Sequence, residues 1–312
     1  MSGGTTGRPA PVSTPAGARE TTANNTPATP ATHAAATPTT GGALPSLEEF
    51  FSPGGPGEDA GERETVERVE ELLAALEDGT ARAASRAADG TWHAHPWVKR
   101  GILAAFRHSQ TVEMDWPGGA LDRSLVPPRH LRHADGVRVV PGGTSVRRGA
   151  HLAAGVVVMP PSYVNVGARV EAGSMVDSHV LVGSCAQVGT GVHLSTAVQL
   201  GGVLEPVGAA PVVVEDDVFV GAQCGLYEGV VVRARAVLAP GVVLSAGTTV
   251  YDLVHERELT GEVPGGAVVV PGARPARGGY ARGLGLSLYA PVIVKYRDSS
   301  TDAATVLEDA LR

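Results

Sequence analysis

From Val146 onward every sixth residue is aliphatic: Val146, Leu152, Val158, Val164, Val170, Val176, Val182, Val188, Leu194 and Leu200. The register slips across Glu205–Val213 and resumes at Val214, Val220, Leu226, Val232, Leu238, Leu244 and Val250. Three places after each aliphatic the residue is often glycine, as at Gly149, Gly155, Gly167, Gly173, Gly191, Gly229 and Gly241, and four places after it is small or short. A period of six contains a period of two, so local alternation alone would also suit a β-sandwich. The glycine phase and the sustained register decide for a hexapeptide repeat. Each hexad then makes one short strand and one corner of a three-sided coil. The aliphatic points inward and stacks on its counterpart three hexads away, about 4.8 Å along the axis. Glycine supplies the left-handed backbone that a tight corner needs. Each buried Val or Leu contributes about 1.5–3 kcal/mol, but only once a neighbouring coil covers it. The predicted fold is therefore an all-β left-handed parallel β-helix, an exception to the usual right-handed crossover.

The rest of the chain is organised around this repeat. Residues 1–45 are rich in Thr, Ala, Pro and Gly and bury too little apolar surface to offset their ordering entropy, so a disordered tail is expected. Residues 46–137 read as a small N-terminal α-helical domain. Val66, Val69, Leu72, Leu73 and Leu76 recur at helical spacing before Gly79, and Pro96 opens a second helix with Trp97, Ile102, Leu103 and Phe106 on its apolar side. Residues 108–137 read as a Pro-rich connector. The β-helix is expected over 138–255, and a C-terminal strand and helix extension over 256–312, ending in the amphipathic TDAATVLEDALR.

Composition excludes several function classes. A formal charge of −7 leaves no basic footprint for nucleic acid. No run of about 18 apolar residues suggests a membrane span, and the N-terminus has neither the basic nor the apolar region of a secretory signal, so a cytoplasmic protein is expected. Two cysteines, Cys185 and Cys224, are too few for a disulfide framework and read as reduced small apolar residues. A zinc site would need converging histidines; only His151, His179 and His193 fall within the repeat, with no His-x4-His pair, so no metal is expected and His151 and His193 read as surface corner residues.

Longer strings narrow the reading. MPPSYVNVGARVEAGSMVDSHVLVGSCAQVGTGVHLS, then GGVLEP and VVEDDVFVGA, together with WHAHPWVKRGILAAFR, RVVPGG and LYAPVIVKYRD, resemble the tetrahydrodipicolinate N-succinyltransferase family over roughly residues 46–312. The resemblance implies a homotrimer with active sites in grooves between neighbouring β-helices. It also implies succinyl transfer from succinyl-CoA, as co-substrate and not as a bound cofactor, to the amine of the ring-opened amino-dicarboxylate in lysine and diaminopimelate biosynthesis. Asp177, in SMVD, matches the family aspartate that contacts the amine, and Arg138, in VRVVP, the arginine that holds a substrate carboxylate. The chemistry suits both: an amine nucleophile needs a carboxylate to orient it and take a proton, and a guanidinium binds carboxylate bidentately.

Further candidates follow. Backbone N–H groups at Gly201, Gly202 or Ala222 are candidates to stabilise an oxyanion, and Lys295, with Arg274, Arg277 and Arg282 in a Gly-rich loop, is a candidate for the charges of coenzyme A. Two strings depart from the family. Asp177-Ser178-His179 stands where MVDTW is usual, and GAQCGLYEG where GARSEVVEG is usual, so that Gly225 replaces a family glutamate. Glu228 either stands in for it or is polar corner surface. These departures leave open a paralogue using acetyl-CoA or another amino-dicarboxylate, and a catalytically silent scaffold subunit.

Overall fold

A computed structural model of the chain describes residues 43–298. Residues 1–42 of the expected tail and the expected terminal helix at 301–312 lie outside the described residues. The repeat folds as a left-handed parallel β-helix whose two-residue strands stack into three parallel sheets. Face I carries the strands beginning at Arg138, Val157, Met175, His193, Phe219 and Val237; face II those at Ser145, Tyr163, Leu181, Gln199, Gly225 and Val243; face III those at His151, Arg169, Gln187, Val213, Val231 and Glu262. Within a regular coil partners differ by 18 residues, as in Val176↔Val158; across the register slip they differ by 26 on all three faces, as in Val188↔Val214, His193↔Phe219 and Gln199↔Gly225. The second residue of each strand points inward, and Val164, Val176, Leu194, Leu200, Val220 and Leu238 are fully buried in one continuous core.

The corner phase is left-handed at most corners, and not only at glycine. His179, Cys185, Ala197, Asp217, Gln223 and Arg235 occupy it with φ between 56° and 66°. Hydrogen bonds between coils hold these corners, for example His179 N to Pro161 O (2.6 Å) and Gln223 N to Thr196 O (2.9 Å), and so offset the cost of a side chain there.

Three helices precede the prism: α1 (Ala43–Phe51), α2 (Glu62–Asp78) and α3 (Pro96–Arg107). Gly79 ends α2 in the left-handed conformation with its N–H on Leu76 O. Leu72, Leu73, Leu76, Trp97, Val98 and Ile102 form a second core that includes Val166 and Cys185 of the prism, so the helices cover face III and its corner with face II. At Gly167 (φ 74°) a methyl group would lie 2.8 Å from Ile102 Cδ1 and 2.9 Å from Cys185 Sγ, so the corner admits only glycine.

Three local expectations are corrected. Residues 108–137 are not plain connector: Thr111–Met114 and Ala120–Arg123 form an antiparallel hairpin around Pro117-Gly118-Gly119. His151 and His193 sit on strands, not corners. His151 Nδ1 lies 2.9 Å from Glu77 O at the end of α2, and His193 is buried, its ring edge-on to Phe219 at 5.1 Å. Each precedes an inward aliphatic and therefore faces outward, where a helix or the next strand's side chain covers it. Arg274 lies on the strand Ala267–Pro275 and Arg282 on the short helix Gly279–Gly283, not in loop; the strand Ser287–Tyr296 returns antiparallel to the first of these and carries Lys295.

Candidate functional site

The edge between faces I and II holds Asp177, one residue past the inward Val176. Its Oδ1 accepts the N–H of Ser178 (2.7 Å) and its Oδ2 the hydroxyl of Thr196 one coil further on (3.1 Å). Its own carbonyl accepts from the buried Ser162 hydroxyl (2.8 Å), and its N–H donates to Leu194 O (2.9 Å). The carboxylate is thus fixed in position while half-exposed, with two of its roughly four acceptor sites taken. A depression of about 290 Å³, lined by Ser145, Pro161, Tyr163, His179 and Leu181 but not by Asp177 itself, opens on the adjoining part of face II. The register Val176↔Leu194↔Val220 puts Ala222 on the same edge two coils away, about 10 Å along the axis.

Gly201, Gly202 and Glu228 occupy the next edge, between faces II and III. Here the chain leaves the hexad register from Gly201 to Pro211, and this excursion is the physical form of the register slip. Gly201 N donates to Leu226 O (2.8 Å), and exposed Glu228 sits at a corner with φ 43°. Tyr227 lies across the two coils: a methyl group at Gly201 would fall 2.8 Å from its Cδ1, and one at Gly225 2.7 Å from its Cε2 and 2.9 Å from its hydroxyl. The phenol thus occupies the space a side chain at position 225 would take.

Lys99 anchors this excursion. It is fully buried in α3, and its Nζ donates to Ala209 O at 2.5 Å. Burial lowers its pKa, while the neighbouring Cys185 pulls the other way; burial in turn pushes the Cys185 thiol up to about 12, so this cysteine is unreactive.

The other two candidates stand apart. Arg138 is exposed on the first strand of face I, and Lys295 lies seven strand spacings away in the same sheet, roughly 34 Å along the axis. Lys295 Nζ pairs with Asp298 at 3.3 Å. Within one chain, then, Asp177 and Ala222 share one edge, Gly201, Gly202 and Glu228 share another, and neither Arg138 nor Lys295 joins them. Among the described residues no group of three or more His, Cys, Asp or Glu is arranged to hold a metal ion.

Sequence reading missed Lys99 and Tyr227. Lys99 stands within the apolar side of α3, three residues before Ile102, and that position is the signal that it is buried. Nothing in the sequence shows that Tyr227 folds back over Gly225, because the contact depends on Gly201 in the previous coil.

Comparison with known proteins adds the following. Residues 48–108 match the profile described as tetrahydrodipicolinate N-succinyltransferase N-terminal, and residues 136–160 and 211–246 match the hexapeptide repeat of succinyl-transferase. The chain is 42% identical over 257 residues to the 2,3,4,5-tetrahydropyridine-2,6-dicarboxylate N-succinyltransferase of Nitrobacter winogradskyi, spanning 80% of this chain and 90% of that one. It is 44% identical over 257 residues to the protein of the same name from Bradyrhizobium diazoefficiens, with the same coverage. A third relative of that name, from Albidiferax ferrireducens, is 42% identical over 258 residues, 81% of this chain and 92% of that one.

Proposed function

As the chain belongs to the tetrahydrodipicolinate N-succinyltransferase family, we propose that it moves a succinyl group from succinyl-CoA to the amine of the ring-opened amino-dicarboxylate. The amine lone pair attacks the thioester carbonyl, the C–N bond forms, and the C–S bond breaks to release coenzyme A. The proton lost by the amine passes to the Asp177 carboxylate and from there to the departing thiolate. Most of the acceleration comes from holding amine and thioester together. The N–H of Ala222, on the same edge, or that of Gly202 stabilises the developing oxyanion, since the N–H of Gly201 is already bonded to Leu226 O. Arg138 binds a substrate carboxylate, Glu228 contributes polar contact to the acceptor, and Lys295 meets the charges of coenzyme A.

The observation that carries this reading is the fixed, half-exposed carboxylate of Asp177 on the edge between faces I and II. The scatter of the other candidates over separate edges supports a site assembled between copies in a homotrimer. So does the apolar surface on the C-terminal ribbon, where Leu286, Leu288, Tyr289 and Val294 are exposed. No helix among the described residues is long and apolar enough to cross a membrane, in keeping with a cytoplasmic enzyme. The curated relatives are named for succinyl transfer, so the acetyl-donor and scaffold readings are not carried further.

The test is donor and acceptor profiling of the purified full chain. Thiol release from succinyl-CoA that requires the amino-dicarboxylate, with acetyl-CoA a much poorer donor, is the expected result. Release independent of the acceptor, or a preference for acetyl-CoA, contradicts it.

A further inference from the structure

The third edge of the prism, between faces III and I, carries none of the residues used above. The ribbon formed by Ala84–Arg86 and Trp92–Ala94 closes over it and leaves a cavity of about 320 Å³. Arg82, Arg86 and Trp92 line it from the N-terminal side, and Glu171, Glu215 and Asp216 from the prism.

Most of these charges are already matched. Buried Glu215 accepts from Trp92 Nε1 (2.9 Å), Arg233 Nη1 (3.0 Å) and Ala234 N (3.0 Å), and lies 3.4 Å from Arg86 Nε. Glu171 accepts from Arg169 Nε at 2.6 Å.

Two charges remain. Arg82 donates one long hydrogen bond, to Gln187 Oε1 at 3.3 Å, and its guanidinium lies 5.5 Å from the Trp92 ring centroid; among the described residues no carboxylate is within ion-pair distance of it. A guanidinium has five N–H donors, and one that is part-buried without an acid is costly until an anion meets it. Burial lowers its pKa and the nearby Arg169 adds to this, while Glu171 and Asp216 act through space in the other direction. Asp216 uses Oδ1 to accept Thr190 N (2.8 Å), and among the described residues no cation pairs with it. Arg82 and the exposed Asp216, neither of them in an ion pair among the described residues, therefore face the same small cavity, with Val188, Val214 and Ala234 as its apolar wall.

We propose that this cavity binds a free α-amino acid, its carboxylate on Arg82 and its ammonium on Asp216. The volume lies at the small end of ligand sites, which run from about 300 to 1,000 Å³. A ligand held this way bridges the N-terminal region and the prism, so it also raises the melting temperature by mass action.

Titration calorimetry of the full-length protein, without acyl-CoA, tests this against the standard amino acids, with succinate and butylamine as half-ligands. Saturable binding of at least one amino acid is expected, weaker for either half-ligand. Arg82→Gln and Asp216→Asn should each weaken it about tenfold or more, the loss of one charge-assisted bond. Asp177→Asn should leave it unchanged, which separates this site from that of the acceptor. If Arg82→Gln melts early, Asp216→Asn decides, because its exposed amide keeps an oxygen for Thr190. Binding absent up to about 10 mM, undiminished in Asp216→Asn, or abolished by Asp177→Asn overturns the proposal.

Discussion

Two buried ionised side chains show how single residues tie the ends and loops of this chain to the prism. Asp252, with its carboxylate fully shielded, accepts from Tyr296 Oη (2.8 Å), His255 Nδ1 (2.9 Å) and Arg257 Nε (3.0 Å). Burial pushes its pKa up, but these bonds outweigh burial and hold it well below the ordinary carboxylate range. A carboxylate more acidic folded than unfolded adds stability above its unfolded pKa, and that stability is lost as pH falls below the usual carboxylate range. Asp252→Asn should therefore cost about 2 kcal/mol in denaturant titration at neutral pH and flatten the acid limb of the stability curve. Lys99 has the opposite character: its pKa is lowered by burial, so the unfolded chain binds more protons and stability rises as pH climbs toward the ordinary lysine range. Lys99→Met keeps the volume and removes the donor to Ala209. It should remove that alkaline rise and, by releasing the Gly201–Pro211 excursion, lower acyl-transfer activity several-fold (about 1 kcal/mol) with little change in melting. The place of Asp177 on an edge, one step past an inward valine, was legible in the repeat. The contacts of Tyr227 and Lys99 were not, because each depends on a residue brought near only by the winding of the chain.

At the scale of elements, period six specified the strands, their inward faces and the point of the slip, since burial of one residue in six leaves a direct trace in hydrophobicity. The sequence marked the corners through their glycines, but not that His179, Ala197 or Arg235 would adopt the same left-handed turn. Inter-coil hydrogen bonds impose that conformation whatever the side chain, so residue type does not report it. A test follows from the contrast. Ala197→Gly should stabilise by about 0.5–1 kcal/mol, relief of left-handed strain less the entropy of glycine. Gly167→Ala should destabilise by about 2 kcal/mol, because strain and the approach of Ile102 and Cys185 add. Thermal melts of both variants check the pair, and equal effects would contradict it. The Thr111–Arg123 hairpin had a turn signal in Pro117-Gly118-Gly119, yet its strands are four residues long and mostly exposed, so no sustained burial pattern announced them.

Across the whole molecule, stacking converts sequence distance into axial distance. Each coil advances about 4.8 Å, and residues more than a few coils apart never meet within one chain. The prism therefore offers edges and faces instead of an enclosed cleft, and the candidates lie on separate edges for that reason. We propose that one of those edges carries, in Asp177, the carboxylate that receives a proton during acyl transfer. The measurement that tests this most directly is acceptor-dependent coenzyme A release by Asp177→Asn, with its assembly followed by light scattering. The account predicts a fall in kcat of about a hundredfold or more with oligomeric state and melting unchanged. Wild-type turnover in the correctly assembled variant would contradict it.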